Sequence, residues 1–195
     1  MAIHYLEETA RLQRDLGKLP EALAAARRIA VVDPANSLGF TLVARLALDS
    51  SDFRRAEDAI GRALAIDESF APALAEHGRM LTLRGAFADA EATFTRAEQA
   101  DPRLSETWEY RGDFHARQQM RSDAVAAMRK AVDFGTFPAW RAADPSAKLG
   151  KLLEASGDLP GALEAYERAN RLDRRKFASL IADIERLKAR VGGKP

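Results

Sequence analysis

Ala22, Ala56, Ala90 and Ala124 are equally spaced, and Ile29, Ala63, Ala97 and Ala131 repeat the same interval seven positions further on. Alanine is common in this chain, so the less frequent residues carry more weight. Gly17 aligns with Gly85, and Leu19 with Phe53 and Phe87. Pro34 aligns with Pro102, each after an aspartate. After an insertion near residues 139–142 the register returns with Gly150, Gly157, Leu159, Ala162, Tyr166 and Ala169. A fixed period of this length means that one supersecondary unit recurs and that each copy buries its apolar face against the next.

Within a period the apolar residues follow helical spacing, as in Leu74, His77, Gly78 and Leu81. Gly17, Gly85 and Gly157 suit the left-handed conformation that ends a helix. Pro20 and Pro160 then suit the first turn of the next helix, where a missing N–H costs nothing. No segment reads as a strand. The spacing predicts an all-α chain of about eleven helices, five pairs and one more.

The third period reads Leu74, Gly78, Leu81, Gly85, Phe87, Ala90, Phe94, Ala97, Pro102. This run resembles the tetratricopeptide repeat family, which pairs two antiparallel helices per repeat. The resemblance spans repeats 3–36, 37–70, 71–104, 105–138 and 143–176, which would make residues 1–195 a single domain. It implies an α-solenoid, a right-handed superhelix with a concave face lined by the first helix of each repeat. The ends read as caps. Thr9 and Gln13 take columns that are apolar elsewhere. Phe177, Leu180, Ile181, Ile184 and Leu187 form one apolar stripe. Residues 174–191 are therefore expected to form a lone capping helix. Its Ile184 stands in the column of Ala10, Ala44, Gly78, Gly112 and Gly150, too bulky for a full repeat.

Charge and composition exclude several functions. Thirty basic side chains face 29 acidic ones, so bulk charge does not drive binding to a polyanion. No cysteine is present, which removes disulfides, thiolate metal sites and thiol catalysis. No phosphate loop, nucleophile elbow or paired-histidine zinc motif occurs. His4, His77 and His115 lack metal-ligand spacing, and His77 and His115 are expected to be satisfied interior histidines. The chain reads as a non-enzyme with no cofactor and no metal. Its start carries acidic residues where a signal peptide carries basic ones, and its longest charge-free run falls short of the ~18 residues of a membrane span. A cytoplasmic protein is expected.

Three features could carry function. The family resemblance places Arg11, Arg45 and Arg79 at one height on the concave face, followed by Asp113 and Lys151. Leu42, Tyr110, Lys148 and Lys151 lie on the same face. Planar guanidinium groups suit carboxylates, so the partner expected is a protein or peptide segment with acidic residues. Glu7–Arg11 and Glu76–Arg79 also have the spacing of intrahelical pairs, whereas Arg45 has only Thr41 four residues before it. The second feature is repeat four, where Trp108, Arg111 and His115 share a face. Phe134, Phe137 and Trp140 follow in an irregular stretch, as a partner-binding rim or as a plug for imperfect packing. Asp144 and Pro145 then read as an N-cap and first position of the next helix. The third feature is the stretch 171–195, with eight basic against three acidic side chains. It lacks interleaved exposed aromatics, which disfavours nucleic acid. The reading is a non-catalytic interaction scaffold that holds a partner segment in its groove. The alternatives are a self-assembly module, and an adaptor touching nucleic acid or an anionic surface through the basic C-terminal helix.

Overall fold

The computed structural model describes residues 2–135 and 142–192. The described residues form eleven α-helices and no strand, as the periodicity predicts. They fall into two compact units, Met1–Pro102 and Arg103–Pro195. The first holds α1 (Ala2–Asp15), α2 (Leu19–Val32), α3 (Ser37–Asp49), α4 (Phe53–Ile66), α5 (Ala71–Arg84) and α6 (Phe87–Ala100). The second holds α7 (Ser105–Arg117), α8 (Arg121–Phe134), α9 (Ala143–Ala155), α10 (Leu159–Leu172) and α11 (Leu180–Gly192). Odd-numbered helices up to α9 are the first members of helix pairs, and α11 packs on α10.

Each pair is closed by the same turn. Gly17, Ser51, Gly85, Gln119 and Gly157 all have positive φ, from 58° at Ser51 to 86° at Gly157. In each turn the next residue's N–H reaches back five residues. Lys18, Asp52, Ala86, Met120 and Asp158 donate to the carbonyls of Gln13, Ala47, Leu81, His115 and Leu153 at 2.8–3.0 Å. This hydrogen bond satisfies a carbonyl that the helix end leaves open. Glycine at three of the five turns meets the backbone requirement without strain. Serine and glutamine meet the same requirement against it.

Packing inside a pair is set by size compensation. In the column of Ala10, Ala44, Gly78, Gly112 and Gly150, the three glycines face the residue sixteen positions on, Phe94, Met128 and Tyr166, where the two alanines have the shorter Ala26 and Ile60 at that spacing. Glycine stands where the facing side chain is longest. A Cβ on Gly78 would come within 2.6 Å of the Phe94 ring, which is fully buried. Ile184 has no following helix to face among the described residues and is itself buried, with Leu180 and Leu187, in the core of the second unit.

Two boundaries differ from expectation. Helix α9 starts at Ala143 with Ala142 as its N-cap, so Asp144 and Pro145 lie within its first turn. Proline is tolerated there for the same reason as at the expected position. Helix α11 starts at Leu180 rather than at 174. Residues 174–179 are turns, opened where the Asp173 carboxylate accepts the Lys176 N–H at 3.0 Å. Aspartate competes with helix formation by offering the backbone this local bond.

Candidate functional site

In the first unit, Arg11, Arg45 and Arg79 recur on α1, α3 and α5, and each is ion-paired. Arg11 holds Glu8 at 2.9 Å and Asp15 at 3.3 Å. Arg45 reaches across to Glu76 of α5 at 2.6 Å through Nε. Arg79 holds Asp49 of α3 at 2.6 Å and Glu76 at 3.3 Å. The Glu76 side chain has no exposed surface, while the three arginines keep about a fifth of theirs. A buried carboxylate is tolerated when paired and hydrogen-bonded, and two guanidinium groups do this for Glu76. The row is therefore a lattice of alternating charge in which Glu8, Asp15, Asp49 and Glu76 stand among three arginines. Leu42 is half-buried against the core of this unit.

In the second unit, Tyr110 is buried and Lys151 is exposed. Lys148 of α9 bridges to Glu109 at 2.8 Å and Asp113 at 2.6 Å, both on α7. Burial works against its charge, but the two carboxylates outweigh burial and raise the ammonium above the ordinary lysine range. Lys148 thus stays charged and is no nucleophile. Phe134 is half-buried, its ring 6.4 Å from that of buried Trp108. Lys130 caps the Trp108 ring at 3.7 Å, Arg111 lies 5.8 Å from it, and Arg103 lies 5.7 Å from the Phe134 ring. Cation–π contacts of this kind fix the rings against the protein. Phe137 and Trp140 lie outside the described residues.

The basic terminus is folded against acids. Arg186 pairs with Glu154 at 2.6 Å and with Asp183 at 2.7 Å, Lys188 with Glu185 and Glu167, and Lys176 with Asp144 at 2.8 Å. Glu154 also accepts the Tyr166 hydroxyl, and burial together with that carboxylate pushes the phenol up to about 12. His77 departs from expectation. It is half-buried, and its Nδ1 is buried without a hydrogen-bond partner. Among the described residues no cluster of three or more His, Cys, Asp or Glu has the arrangement of a metal site, and no helix is long and apolar enough to cross a membrane.

The sequence pattern paired Glu76 with Arg79, which the structure shows, but missed Glu76 as the partner of Arg45, and missed Asp49 and Glu109. One signal was present. Positions 45 and 113 share a column, as do 76 and 148, and their charges are exchanged between the two pairs.

No protein-family model and no curated protein matches the sequence. Solved structures do. The thermophilic tetratricopeptide repeat protein TTC0263 of Thermus thermophilus is 18% identical, with a TM-score of 0.72 over 98% of this chain and 100% of that one. A tetratricopeptide repeat protein of Parabacteroides merdae is 20% identical, with a TM-score of 0.70 over 95% of this chain and 70% of its own. PilW, a type IV pilus biogenesis factor, is 16% identical, with a TM-score of 0.61 over 98% of this chain and 92% of that one. With five helix pairs closed by one recurrent turn, this chain has the tetratricopeptide-repeat fold.

Proposed function

We propose that the protein is a non-catalytic interaction scaffold that receives a segment of a partner protein on the face carrying Arg11, Arg45 and Arg79. The observation that carries this reading is the lattice itself. Three part-exposed guanidinium groups recur on successive first helices, each oriented in advance by carboxylates. Pre-oriented side chains lose little freedom when a partner arrives. Glu8, Asp15 and Asp49 stand among the arginines, so the segment that fits carries both charge signs rather than a run of acids. Leu42 offers an apolar contact beside them. On the second unit, exposed Lys151 of α9 would make a contact of its own. The ion pairs of Lys176, Arg186 and Lys188 favour a terminus that packs on its own unit over one that contacts nucleic acid.

Arg45 and Arg79 also hold Glu76, so Arg11→Gln is the cleaner probe. Partner proteins are captured with the wild-type chain and identified by mass spectrometry, and the captured segment is titrated against wild type and Arg11→Gln. One charge-assisted hydrogen bond is worth about 1.5 kcal/mol or more, so binding should weaken about tenfold and fall further with salt, at an unchanged melting temperature. Equal binding by Arg11→Gln at all salt concentrations would move the interface away from α1.

A further inference from the structure

One column of the repeat changes size in the second unit. Leu6, Phe40, Leu74 and Trp108 stand one period apart on first helices, and the same register on α9 gives Ser146. Leu6, Leu74 and Trp108 are buried and Phe40 is half-buried, so the column is a place for a large apolar side chain. Ser146 is fully buried as well, but it is small, and its hydroxyl donates to the Ala142 carbonyl at 2.6 Å. A cavity of about 430 Å³ lies against it, floored by Leu149 and Leu153 of α9, Val132 of α8 and Ala165 of α10. Sites that take small ligands begin at about 300 Å³.

A second column says what belongs in the cavity. Arg28, Arg62, Arg96, Lys130 and Arg168 are one period apart on the second helices, and all are basic. Where the first column supplies a ring, this cation lies over it. Arg62 stands 5.9 Å from the centre of the Phe40 ring, and Lys130 stands 3.7 Å from that of Trp108. Arg168 lines the cavity at the equivalent position, with Ser146 in place of the ring. Its guanidinium donates to the Val132 carbonyl at 3.3 Å. A guanidinium hydrogen-bonds in its plane and stacks through its face, so this bond does not compete with a ring. At the exposed rim, Arg129 and Asp133 of α8 and Glu164 of α10 take part in no ion pair or hydrogen bond among the described residues. They can serve the N–H and C=O groups of an extended segment on either side of an inserted ring.

We propose that this cavity is a binding site for an aromatic side chain of a partner protein, phenyl or indole, seated on Val132, Leu149 and Leu153 beneath the Arg168 guanidinium. The site belongs to the second unit and goes beyond the arginine face of the first, so the two can fail separately. The probes are capped pentapeptides with tryptophan or leucine between two glycines on each side. In methyl NMR the tryptophan peptide should shift the Val132, Leu149 and Leu153 signals in a saturable way. The leucine peptide should bind about fivefold more weakly, the scale of a cation–π contact, and Arg168→Gln should weaken the tryptophan peptide by the same factor. Ser146→Leu restores the side chain that the column carries elsewhere. It should abolish binding and raise the urea midpoint by filling the cavity. Arg11→Gln should bind the tryptophan peptide as the wild type does. Equal affinity for the two peptides overturns the proposal, as does unchanged binding by Arg168→Gln, which decides the matter alone if Ser146→Leu fails to fold. No methyl shift with either peptide also overturns it, and binding that then appears in a Phe137→Ala, Trp140→Ala variant gives the cavity to the chain's own rings.

Discussion

The two units solve one packing problem with opposite charges. In the first unit Arg45 of α3 meets Glu76 of α5. In the second Asp113 of α7 meets Lys148 of α9. Position 45 shares its column with 113, and 76 shares its column with 148, so this is one structural pair with its signs exchanged. The fold asks for complementarity across adjacent first helices and is indifferent to which helix supplies the cation. The environments differ in depth. Glu76 has no exposed surface, whereas Lys148 keeps 36% of its side chain exposed. Both units use the same size compensation in Gly78–Phe94 and Gly150–Tyr166, so the contrast is confined to the polar face.

That difference in depth sets the largest expected effect. Arg45→Ala leaves a buried carboxylate held by Arg79 at 3.3 Å. Removing one partner of a buried pair typically costs about 3 kcal/mol or more. Lys148→Met leaves half-exposed Asp113 and largely buried Glu109 without their cation, but Glu109, which burial already pushes up, can take on a proton, so the variant should cost less than Arg45→Ala. Urea denaturation of the two variants measures the gap directly. The exchange Arg45→Asp with Glu76→Lys should recover only part of the loss, because Arg79 would then face a second cation. Equal losses for Arg45→Ala and Lys148→Met would mean that burial does not distinguish the two pairs.

The same contrast explains what the sequence could convey. Helix number, the pairing of helices and the turn glycines all follow from residues at fixed spacing, and spacing is local. The partner of Arg45 lies 31 residues away on another helix. Its identity depends on how adjacent first helices are staggered, which no property of a single helix reveals. Glu76 offered a plausible intrahelical partner in Arg79, and that pair exists, but its burial comes from tertiary packing. Periodicity places the start of α11 too early, because the apolar stripe includes Phe177 while Asp173 opens a turn that periodicity does not register.

A smaller effect belongs to the turns. The first unit places Gly17, Ser51 and Gly85 at left-handed φ, the second Gln119 and Gly157. A residue with a Cβ is strained in this conformation by roughly 1–2 kcal/mol, part of which glycine returns through the greater freedom of its unfolded chain. Gln119→Gly and Ser51→Gly should each stabilise by about 0.5–1 kcal/mol, seen as a higher urea midpoint. Gly85→Ala should move the midpoint the other way. If Gln119→Gly destabilises, the Gln119 side chain does more for the second unit than its backbone strain costs.

The smallest expected effect concerns the column of Thr9, Val43, His77, Arg111 and Leu149. His77 of α5 corresponds to buried Leu149 of α9. Burial holds the imidazole below the ordinary histidine range, with Arg96 adding to the effect. The facing groups are Glu57 on α4, Arg84 on α5, and Asp89 and Arg96 on α6, and the two carboxylates only partly oppose the shift. The folded state therefore resists protonation that the unfolded chain accepts near pH 6.5. The contribution of neutral His77 is complete above pH 6.5, declines as the pH falls below it, and levels off once the folded-state imidazole is also protonated. The buried Nδ1 without a partner makes the neutral ring a modest stabiliser at best. His77→Leu places on α5 the residue that α9 carries in this column. It should leave stability at neutral pH close to wild type and flatten the decline between neutral pH and pH 5. Urea midpoints for both chains at pH 7.5, 6.5, 5.5 and 5.0 separate this response from that of the carboxylates, which both chains share. Parallel midpoints for the two chains over that range would show that His77 titrates alike in the folded and unfolded states.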